Sequence, residues 1–598
     1  MDVVPYITGI SNLFTAEAPE AARSARGYYS VYDGEEITIT GFNLKNGTTS
    51  PTLSLNGSSA TLKTTVNKSS VSSITATVKS TTGTNAVKAK SGDVTVTVSG
   101  VQTLNNANKN PTFADGTSEA SNTSSAMYNS LANSVNNKRL TDDAKLYVWN
   151  KGFFINNTYV TDPAMKMTSN GNYYMVYDGN AGYNGAYQLK MNANGTIKNA
   201  DGSYSNFHKN AIAVIDSDHF YGASTNTDRV GNASARFKFY NVAESITTEY
   251  WKSAYQNYSE DGYDYQNIGH SLEQVYNDST LKYDRERVAI PKMFARNVNS
   301  YSRVYMTYFD GNHTDNPVKF RCSQGNGLSG KAASNTDTSQ STSDTSATSG
   351  SAPNFHVVAD KTMTYTGGKY TAVGATSSGV AVVAWYELNR NRLVFSYNTK
   401  PGTPVYGGAW QSNAQVIDQG GQYVDLVVDK NNGIHIAYQS GAKLKYAYLP
   451  TYDSTINSAN IVTVDGYGTA GTNITINTKE ETVGTDKYIV PYISYQNATY
   501  AETPRAIRVA FMPKTIKSSA NTKNVITDKT AVAGTNGNFF TEGWEVIAVP
   551  TVADTKSAIV YNGLPTSGNK WRSDNNSAYS PVLGYMTSSS FESAYIQY

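Results

Sequence analysis

Short stretches of alternating apolar and polar residues dominate this sequence, and the best-defined stretches come in pairs. The clearest pair is Gly433–Tyr438 followed by Leu444–Tyr448, and a second is Val380–Tyr386 followed by Leu393–Tyr397. In each pair a first stretch ends in tyrosine, and a short polar turn leads into the second stretch. Alternation with a period of two residues is typical of a half-buried β-strand, so each pair predicts a β-hairpin.

The same paired pattern recurs about seven times between Tyr147 and Tyr598. The other copies lie at Arg303–Phe320, Tyr492–Phe511, Tyr173–Tyr177 and Leu583–Met586, with a weak one at Phe220–Tyr221. A β-unit that cannot bury both of its faces alone must stack on its neighbours. The sequence therefore predicts an all-β fold in which residues 145–598 form a β-propeller of about seven blades, with six and eight left open. A strand at Lys145–Trp149 is expected to join the final blade and close the ring.

Residues 1–103 carry a different pattern and predict a separate all-β module. Its alternating stretches are Ile37–Thr40, Thr52–Leu55, Ile74–Val78 and Val94–Val98. Turn residues such as Asn56-Gly57 separate these stretches. Short strands and turns over about 100 residues are typical of an immunoglobulin-like sandwich.

Two segments of this module resemble the opening of an IPT/TIG domain. They are Pro5–Ile10, with its Pro-x-Ile, and Gly34–Leu44, with the pattern Gly-x-x-Ile-Thr-Ile-x-Gly-x-x-Leu. The stretch between Asn12 and Tyr32 is longer than is typical of that family, and the closing strand lacks its usual aromatic ending. The resemblance covers about a sixth of the chain. It implies an immunoglobulin-like fold and a role as a spacer or contact domain in an exported protein.

Three further segments interrupt these patterns. Residues 104–144 form a polar connector in which Met127, Leu131 and Val135 predict a short helix over 124–137. An insertion at 241–285 is rich in tyrosine and acidic residues and predicts a helix near 268–276. A second insertion at 323–352 is rich in serine, threonine and glycine, a composition that buries little apolar surface.

Composition narrows the classes of protein that this chain can belong to. Charged residues are 16% of the chain and the net charge is +2, so no global field draws it to nucleic acid or an anionic membrane. No run of about 18 apolar residues predicts a membrane span. No signal peptide is visible, and we expect that a secretion signal has been removed. Low charge and a polar surface favour an extracellular or cell-surface location, with the periplasm as the alternative.

The hairpins are similar to those of sialidase-type and related bacterial surface propellers, and Asp429–Tyr438 is the best match. A sialidase would need an arginine triad and a Tyr/Glu pair, and its blades usually carry Ser-x-Asp-x-Gly-x-Thr-Trp turns. The sequence contains no such turn and assigns no three arginines to one pocket. Whether the chain is an enzyme stays open, with a non-enzymatic role favoured.

A glycosidase needs two carboxylates about 5 to 10 Å apart. The candidate acids are Asp178, Asp310, Glu387, Asp425 and Asp429. Asp178 and Asp310 follow the strand aromatic at equivalent positions of two repeats. This equivalence favours a carboxylate that accepts turn N–H groups, and a catalytic pair is the alternative.

Metal and cofactor sites are not predicted. The single cysteine, Cys322, excludes an intrachain disulfide, and the six histidines show no His-x-x-x-His spacing. His435 lies between Ile434 and Ile436 on an alternating strand and is expected to pack inside a blade.

Aromatic side chains are the remaining candidates for binding, because they bring a large contact area at a small entropic cost. The predicted binding residues are Trp385, Trp410, Trp544, Trp571, Tyr250, Tyr255 and Tyr258. Most strand aromatics of a propeller are instead wedged between blades, which is the expectation for Tyr177, Tyr308, Tyr438 and Tyr495.

The leading hypothesis is an exported bacterial structural or adhesion protein that acts through protein–protein contacts, including self-assembly into a layer or filament. Its partners would be other surface proteins or further copies of the chain. The alternative is a glycan-binding or glycosidase-like propeller that acts on extracellular carbohydrate.

Overall fold

The computed structural model shows a protein built from strands. It describes residues 5–12, 27–103, 145–155, 160–167, 173–180, 184–191, 197–204, 207–214, 219–228, 232–241, 250–253, 255–259, 262–266, 274–277, 282–285, 288–298, 301–310, 318–323, 355–357, 367–399, 411, 414–457, 461–466, 468–483, 486–500, 506–511, 516–517, 545–550, 560–563, 582–586 and 591–597. Apart from 3₁₀ turns at Leu388–Arg390 and Ala498–Tyr500, every regular element in these ranges is a β-strand. The all-β prediction is confirmed.

The N-terminal unit is a two-layered sandwich, as predicted. One layer has the strand order β1 (Tyr6–Asn12), β3 (Glu36–Phe42), β6 (Ser73–Val78) and β5 (Leu62–Ser69). The other contains β4 (Thr52–Leu55), β7 (Gly92–Val98) and the short β8 (Val101–Gln102). Alternate residues of β3 and β6 are buried, so their apolar side chains fill the space between the layers.

Seven four-stranded antiparallel sheets follow within the described residues; the first five are separate, and the last two are joined through the sandwich into one 13-stranded sheet. The first two are β10 (Val160–Met167), β11 (Tyr173–Asn180), β12 (Asn184–Met191), β13 (Ile197–Tyr204), and β14 (Phe207–Val214), β15 (His219–Asp228), β16 (Asn232–Asn241), β17 (Tyr250–Ser253). The next two are β22 (Val288–Val298), β23 (Tyr301–Asp310), β24 (Val318–Ser323), β25 (Phe355–Val357), and β26 (Gly367–Ala375), β27 (Ala381–Glu387), β28 (Arg392–Asn398), β29 (Gln415–Gln419).

The fifth sheet is β30 (Gln422–Val428), β31 (Ile434–Ser440), β32 (Lys443–Leu449), β33 (Ile461–Asp465). The sixth is β34 (Ala470–Val483), β35 (Asp486–Asn497), β36 (Ile507–Phe511), β38 (Glu545–Ala548), with β37 (Ile516–Lys517) beside β35. The last combines β39 (Val560–Gly563), β40 (Val582–Met586) and β41 (Phe591–Gln597) with β9 (Lys145–Ile155), which precedes all of the others in the chain.

These sheets are arranged as the blades of a β-propeller. The first strand of each sheet packs against the first strand of the next, from β10 through β14, β22, β26, β30 and β34 to β39, and β39 also contacts β10. The apolar clusters lie between consecutive sheets; one joins side chains of β26–β28 to those of β30–β32. The first strands therefore surround the axis.

Strand β9 closes the ring, as predicted, and also belongs to the sandwich. It pairs with β41 of the last sheet, whereas its first residues pair with β7. Leu146 and Val148 lie in the sandwich core, and Trp149 lies in the core between the last two sheets. On its other edge β9 pairs in parallel with β2 (Gly27–Tyr32), which in turn pairs with β38. The predicted domain boundaries stay a prediction, but these strands are shared by both units.

The insertion at 241–285 contains strands where a helix was predicted. Strands β18 (Tyr255–Ser259) and β19 (Gly262–Gln266) pair with each other, as do β20 (Gln274–Asn277) and β21 (Lys282–Arg285). The helix prediction is wrong at its C-terminal end, because Val275 and Tyr276 favour an extended strand. Since these four strands belong to none of the seven sheets, the number of blades stays a prediction. The helix at 124–137 and the loop at 323–352 lie outside the described residues.

Candidate functional site

The first strands of several sheets share an irregularity near the end at which they begin. Their register shifts at this point in β10, β14, β22, β26, β30 and β34. Bulges of this kind re-aim side chains and are common beside binding sites. In two of the sheets the shifted segment contains a proline, Pro163 or Pro291, a residue that a bulge tolerates. The bulges thus mark one mouth of the ring.

Three tyrosines gather at this mouth, on the fourth and fifth sheets. Tyr370 of β26 and Tyr423 of β30 are partly buried, with ring centroids 4.6 Å apart and planes inclined by 43°. Tyr386 of β27 lies behind Tyr370 at 6.3 Å and donates a hydrogen bond from its hydroxyl to Asn391 Oδ1 at 2.7 Å. We call this set, Tyr370, Tyr386 and Tyr423, the tyrosine rim.

Tyr423 holds its place in the rim with an unfavourable backbone conformation. Its φ is +52°, in the left-handed region that a bulky side chain rarely adopts. The corresponding bulge of the next sheet has Asn473 at φ +50°, and asparagine tolerates this region well. A tyrosine here costs about 1 kcal/mol, and such strain concentrates at functional sites.

Tyr370 of the rim is electrically neutral at ordinary pH. Burial raises the pKa of Tyr370 far above its usual range, and hydrogen bonding to Tyr423 raises that pKa further. Its phenol therefore stays protonated and can donate as well as accept. Glu387 follows Tyr386 in the chain; its buried carboxylate accepts a hydrogen bond from Arg392 and lies 3.9 Å from Arg390.

Two acids, on the outer strands of the fourth and fifth sheets, link each of these sheets to the next. Asp465, on the outer strand β33, accepts hydrogen bonds from Tyr495 at 2.7 Å and from Arg508 at 2.9 Å, both on the following sheet. Asp418, on the outer strand β29, binds Tyr438 at 3.1 Å and Lys445 at 2.6 Å in the same way. We call each set of three an interblade clamp.

The candidate acid Asp429 belongs to a buried hydrogen-bond network inside the fifth sheet. One carboxylate oxygen accepts the N–H groups of Asn431 and Gly433, and the other accepts His435 Nε2–H at 3.0 Å. His435 Nδ1 then accepts the hydroxyl of Tyr446 at 2.7 Å. Because His435 is fully buried and both its nitrogens are bonded, the prediction of a packing role for it is confirmed. Asp429 fixes the turn between β30 and β31.

The predicted acids occupy related backbone positions. Asp178 in β11 pairs with Thr161, and Asp310 at the end of β23 pairs with Val288. Glu387 stands at the corresponding end of β27, so all three lie at the rim end of a second strand. The side chains of Asp178 and Asp310 lie outside the described residues. Asp425 is engaged structurally, since its carboxylate accepts the N–H of Ile476 at 2.9 Å.

The predicted aromatic residues are not brought together in the described structure. Trp385 is fully buried between the third and fourth sheets and so packs as a wedge, like Tyr438 and Tyr495. Tyr250 lies in β17, and Tyr255 and Tyr258 lie in β18, where only the backbone is described. The other predicted binding residues, Trp410, Trp544 and Trp571, lie outside the described residues.

Sequence reasoning did not single out Tyr370 or Tyr423. The signal that could have found them is the repeated phrase Gly-Gly-x-Tyr at Gly367–Tyr370 and Gly420–Tyr423. Gly421 has φ +117° and packs its backbone against Leu393, so the phrase needs glycine there.

Within the described ranges, His, Cys, Asp and Glu side chains do not gather in threes, as a metal site would require. Within the same ranges, no helix has the length and apolar character to cross a membrane.

Neither a family model nor a curated protein sequence matches the chain. Among solved structures, it is similar to a Hadza microbial sialidase at 8% identity and a TM-score of 0.36, over 87% of this chain and 76% of that one. It is similar to an Aleuria aurantia lectin variant in complex with Fucα1-6GlcNAc at 8% identity and 0.34, over 67% and 98%. A leech intramolecular trans-sialidase gives 11% and 0.35, over 74% and 68%. All three TM-scores are below 0.5, so we assign the propeller from the chain's own sheets.

Proposed function

We propose that this chain is an exported, non-catalytic binding protein whose propeller recognises extracellular glycan at the tyrosine rim. The observation that carries the proposal is the left-handed backbone of Tyr423, at a bulge where the next sheet uses asparagine. The strained backbone of Tyr423 lowers the stability of the fold, so we expect its ring to have a binding role that offsets this loss. Aromatic rings stack on the apolar faces of sugars, and neutral phenols exchange hydrogen bonds with sugar hydroxyls.

The environment of the acids supports binding without turnover. Glu387, Asp425 and Asp429 are each held by a hydrogen bond or ion pair within or between sheets. A general acid must be free to give its proton to the substrate, and these carboxylates are engaged with the protein instead. A panel of chromogenic glycosides tests this point. Turnover that is abolished by Asp178→Asn or Asp310→Asn would overturn the non-catalytic proposal.

Replacing Tyr423 with asparagine is expected to remove glycan binding while leaving the protein folded. The free energy of unfolding should change by no more than about 1 kcal/mol, because relief of the backbone strain offsets the lost ring packing. The affinity for glycans found on an array should fall about tenfold or more, which corresponds to about 1.4 kcal/mol. Calorimetric titration of the array hits measures this affinity.

Two matched variants separate recognition from general damage. Tyr423→Phe keeps the ring and should retain most of the affinity. Tyr452→Ala removes a ring from another partly buried tyrosine pair, Tyr397 and Tyr452, which lies outside the rim at a centroid distance of 4.9 Å. It should leave binding unchanged. If Tyr423→Asn binds as well as the wild type, or if no glycan binds the wild type, the rim is not a glycan site.

A second candidate function, protein–protein contact within a surface assembly, is favoured by the junction of the two units. Strand β2 joins β38 to β9, so the last two blades and one layer of the sandwich form a continuous sheet. We propose that the sandwich is of the IPT/TIG type and acts as a contact domain. Electron microscopy of native protein, which distinguishes arrays and filaments from single particles, tests this role.

A further inference from the structure

The sandwich is incomplete without a strand that belongs to the ring. Between β7 and β2 lies the first part of β9, which pairs with β7 at Asp93 and Lys145 and with β2 from Leu146 to Trp149. Leu146 and Val148 are fully buried in the sandwich core. Without β9 this slot would expose apolar core and the unpaired edges of two strands.

Polar contacts hold the inserted strand. Ser91 Oγ accepts the N–H of Val148 at 2.9 Å, and the N–H of Asp33 is donated to the carbonyl of Trp149 at 2.9 Å. At the far end of β2 the hydroxyls of Tyr32 and Tyr585 lie 3.2 Å apart, which ties the sandwich to the last blade. The junction is therefore a formed interface with buried apolar and polar contacts.

The covalent link across this interface is much longer than its span. The chain leaves β8 at Thr103, whose N–H is donated to Val96 of β7, and returns at Lys145 opposite Asp93 of the same strand. Val96 and Asp93 are three residues apart on β7, so the two points where the connector begins and ends are only about 10 Å apart along that strand. Residues 104–144 nevertheless place about 40 residues between these two points. A connection of about 40 residues is long enough for β9 to enter the sandwich of another copy, and the entropy of closing a loop grows only slowly with its length.

We propose that β9 of a second copy of this chain completes the sandwich, so that copies are joined by exchange of this strand. The contacts in the exchanged form are identical to those within one chain, and only the concentration of chains decides between the two. Strand donation of this kind supplies both backbone hydrogen bonds and side chains for the core. The proposal does not depend on glycan binding; it names a partner for the protein-contact role.

A mixed-protomer crosslink tests the exchange. One protein carries Asp93→Cys and another Lys145→Cys, both in the full chain with Cys322→Ser. The two are unfolded together, refolded at high and at low concentration, and oxidised. Because Asp93 and Lys145 face each other across the strand pair, a disulfide between them forms only where β9 of one copy enters the sandwich of another. A disulfide-linked dimer whose fraction rises with concentration is expected.

Two control experiments make the result decisive. The mixed pair Ser440→Cys and Lys443→Cys, which face each other across a tight hairpin, should give no dimer. The double variant Asp93→Cys with Lys145→Cys should form its disulfide within one chain at low concentration. No mixed dimer at any concentration, or no disulfide in the double variant, overturns the proposal. Deleting residues 110–139 should lower the dimer fraction, because the shorter connector raises the local concentration of a chain's own β9 at its own sandwich.

Discussion

Replacing Asp465 with alanine is expected to lower the free energy of unfolding by about 3–5 kcal/mol. Asp465 is fully buried, and only 8% of the side chain of Arg508 is exposed. The substitution therefore leaves the buried charge of Arg508 without the carboxylate of Asp465. It also leaves the hydroxyl of the buried Tyr495 without its acceptor. Urea unfolding, followed by tryptophan fluorescence and by circular dichroism, measures the loss.

The neighbouring clamp provides the control for this prediction. Asp418 binds a tyrosine and a cation in the same geometry, but its side chain is 19% exposed and that of Lys445 is 23% exposed. Asp418→Ala should therefore cost about 1 kcal/mol or less, since water replaces the lost partner. In the buried clamp, the paired change Asp465→Leu with Arg508→Met should recover much of the stability. Equal losses for the two single variants would show that burial does not decide the strength of these clamps.

The repeats were predictable from sequence because the information is local. In Ile434–Tyr438 the alternation, the turn residues and the terminal tyrosine all lie within one hairpin, and β31 forms as predicted. The clamps were not predictable in this way. The partner of Tyr438 is Asp418, which lies on the outer strand of the preceding sheet, and no spacing rule connects the two before the sheets are packed.

The tyrosine rim was missed for a related reason. Sequence reasoning favoured tryptophans, yet Trp385 occupies the wedge position of its sheet, which corresponds to Tyr438 in the next one. Tyr423 looks like any strand tyrosine in the sequence, and only its left-handed φ and the shifted register around it set it apart. Both are properties of the backbone that the residue type alone does not reveal.

The junction between the sandwich and the ring was still harder to predict from local sequence patterns. Strand β2 (Gly27–Tyr32) was not predicted from the sequence, and it pairs in parallel with β38, more than 500 residues away. Parallel pairing is set by tertiary packing and leaves no hairpin signal in the sequence. The closing role of Lys145–Trp149 was predicted from ring geometry, whereas its second role in the sandwich core was not.

The protein is expected to unfold cooperatively at alkaline pH, and this should be the largest pH effect on its stability. Burial raises the pKa of five tyrosines, Tyr370, Tyr438, Tyr446, Tyr448 and Tyr495. In the unfolded chain the same phenols ionise near pH 10. Above about pH 10 the unfolded state therefore binds fewer protons than the folded state, and stability falls as the pH rises. The stabilising contribution of these groups is fully present below that pH.

Each such tyrosine lowers the free energy of unfolding by about 1.4 kcal/mol per pH unit above pH 10, until its folded pKa is reached. Together they remove several kcal/mol per pH unit, which approaches the whole stability of a typical protein, about 5–15 kcal/mol. Urea midpoints measured between pH 8 and pH 11.5 should fall steeply, and tyrosinate absorbance should rise together with the loss of structure.

Tyr448→Phe isolates the tyrosine contribution from that of lysines, which also lose their charge in this range. The variant removes one titrating phenol, so its stability should decline less steeply than that of the wild type, by about 1.4 kcal/mol per pH unit. A gradual rise of tyrosinate absorbance near pH 10 in protein that remains folded would contradict the prediction. It would mean that these phenols reach water without unfolding, and that the aromatic wedges between the blades are open to solvent.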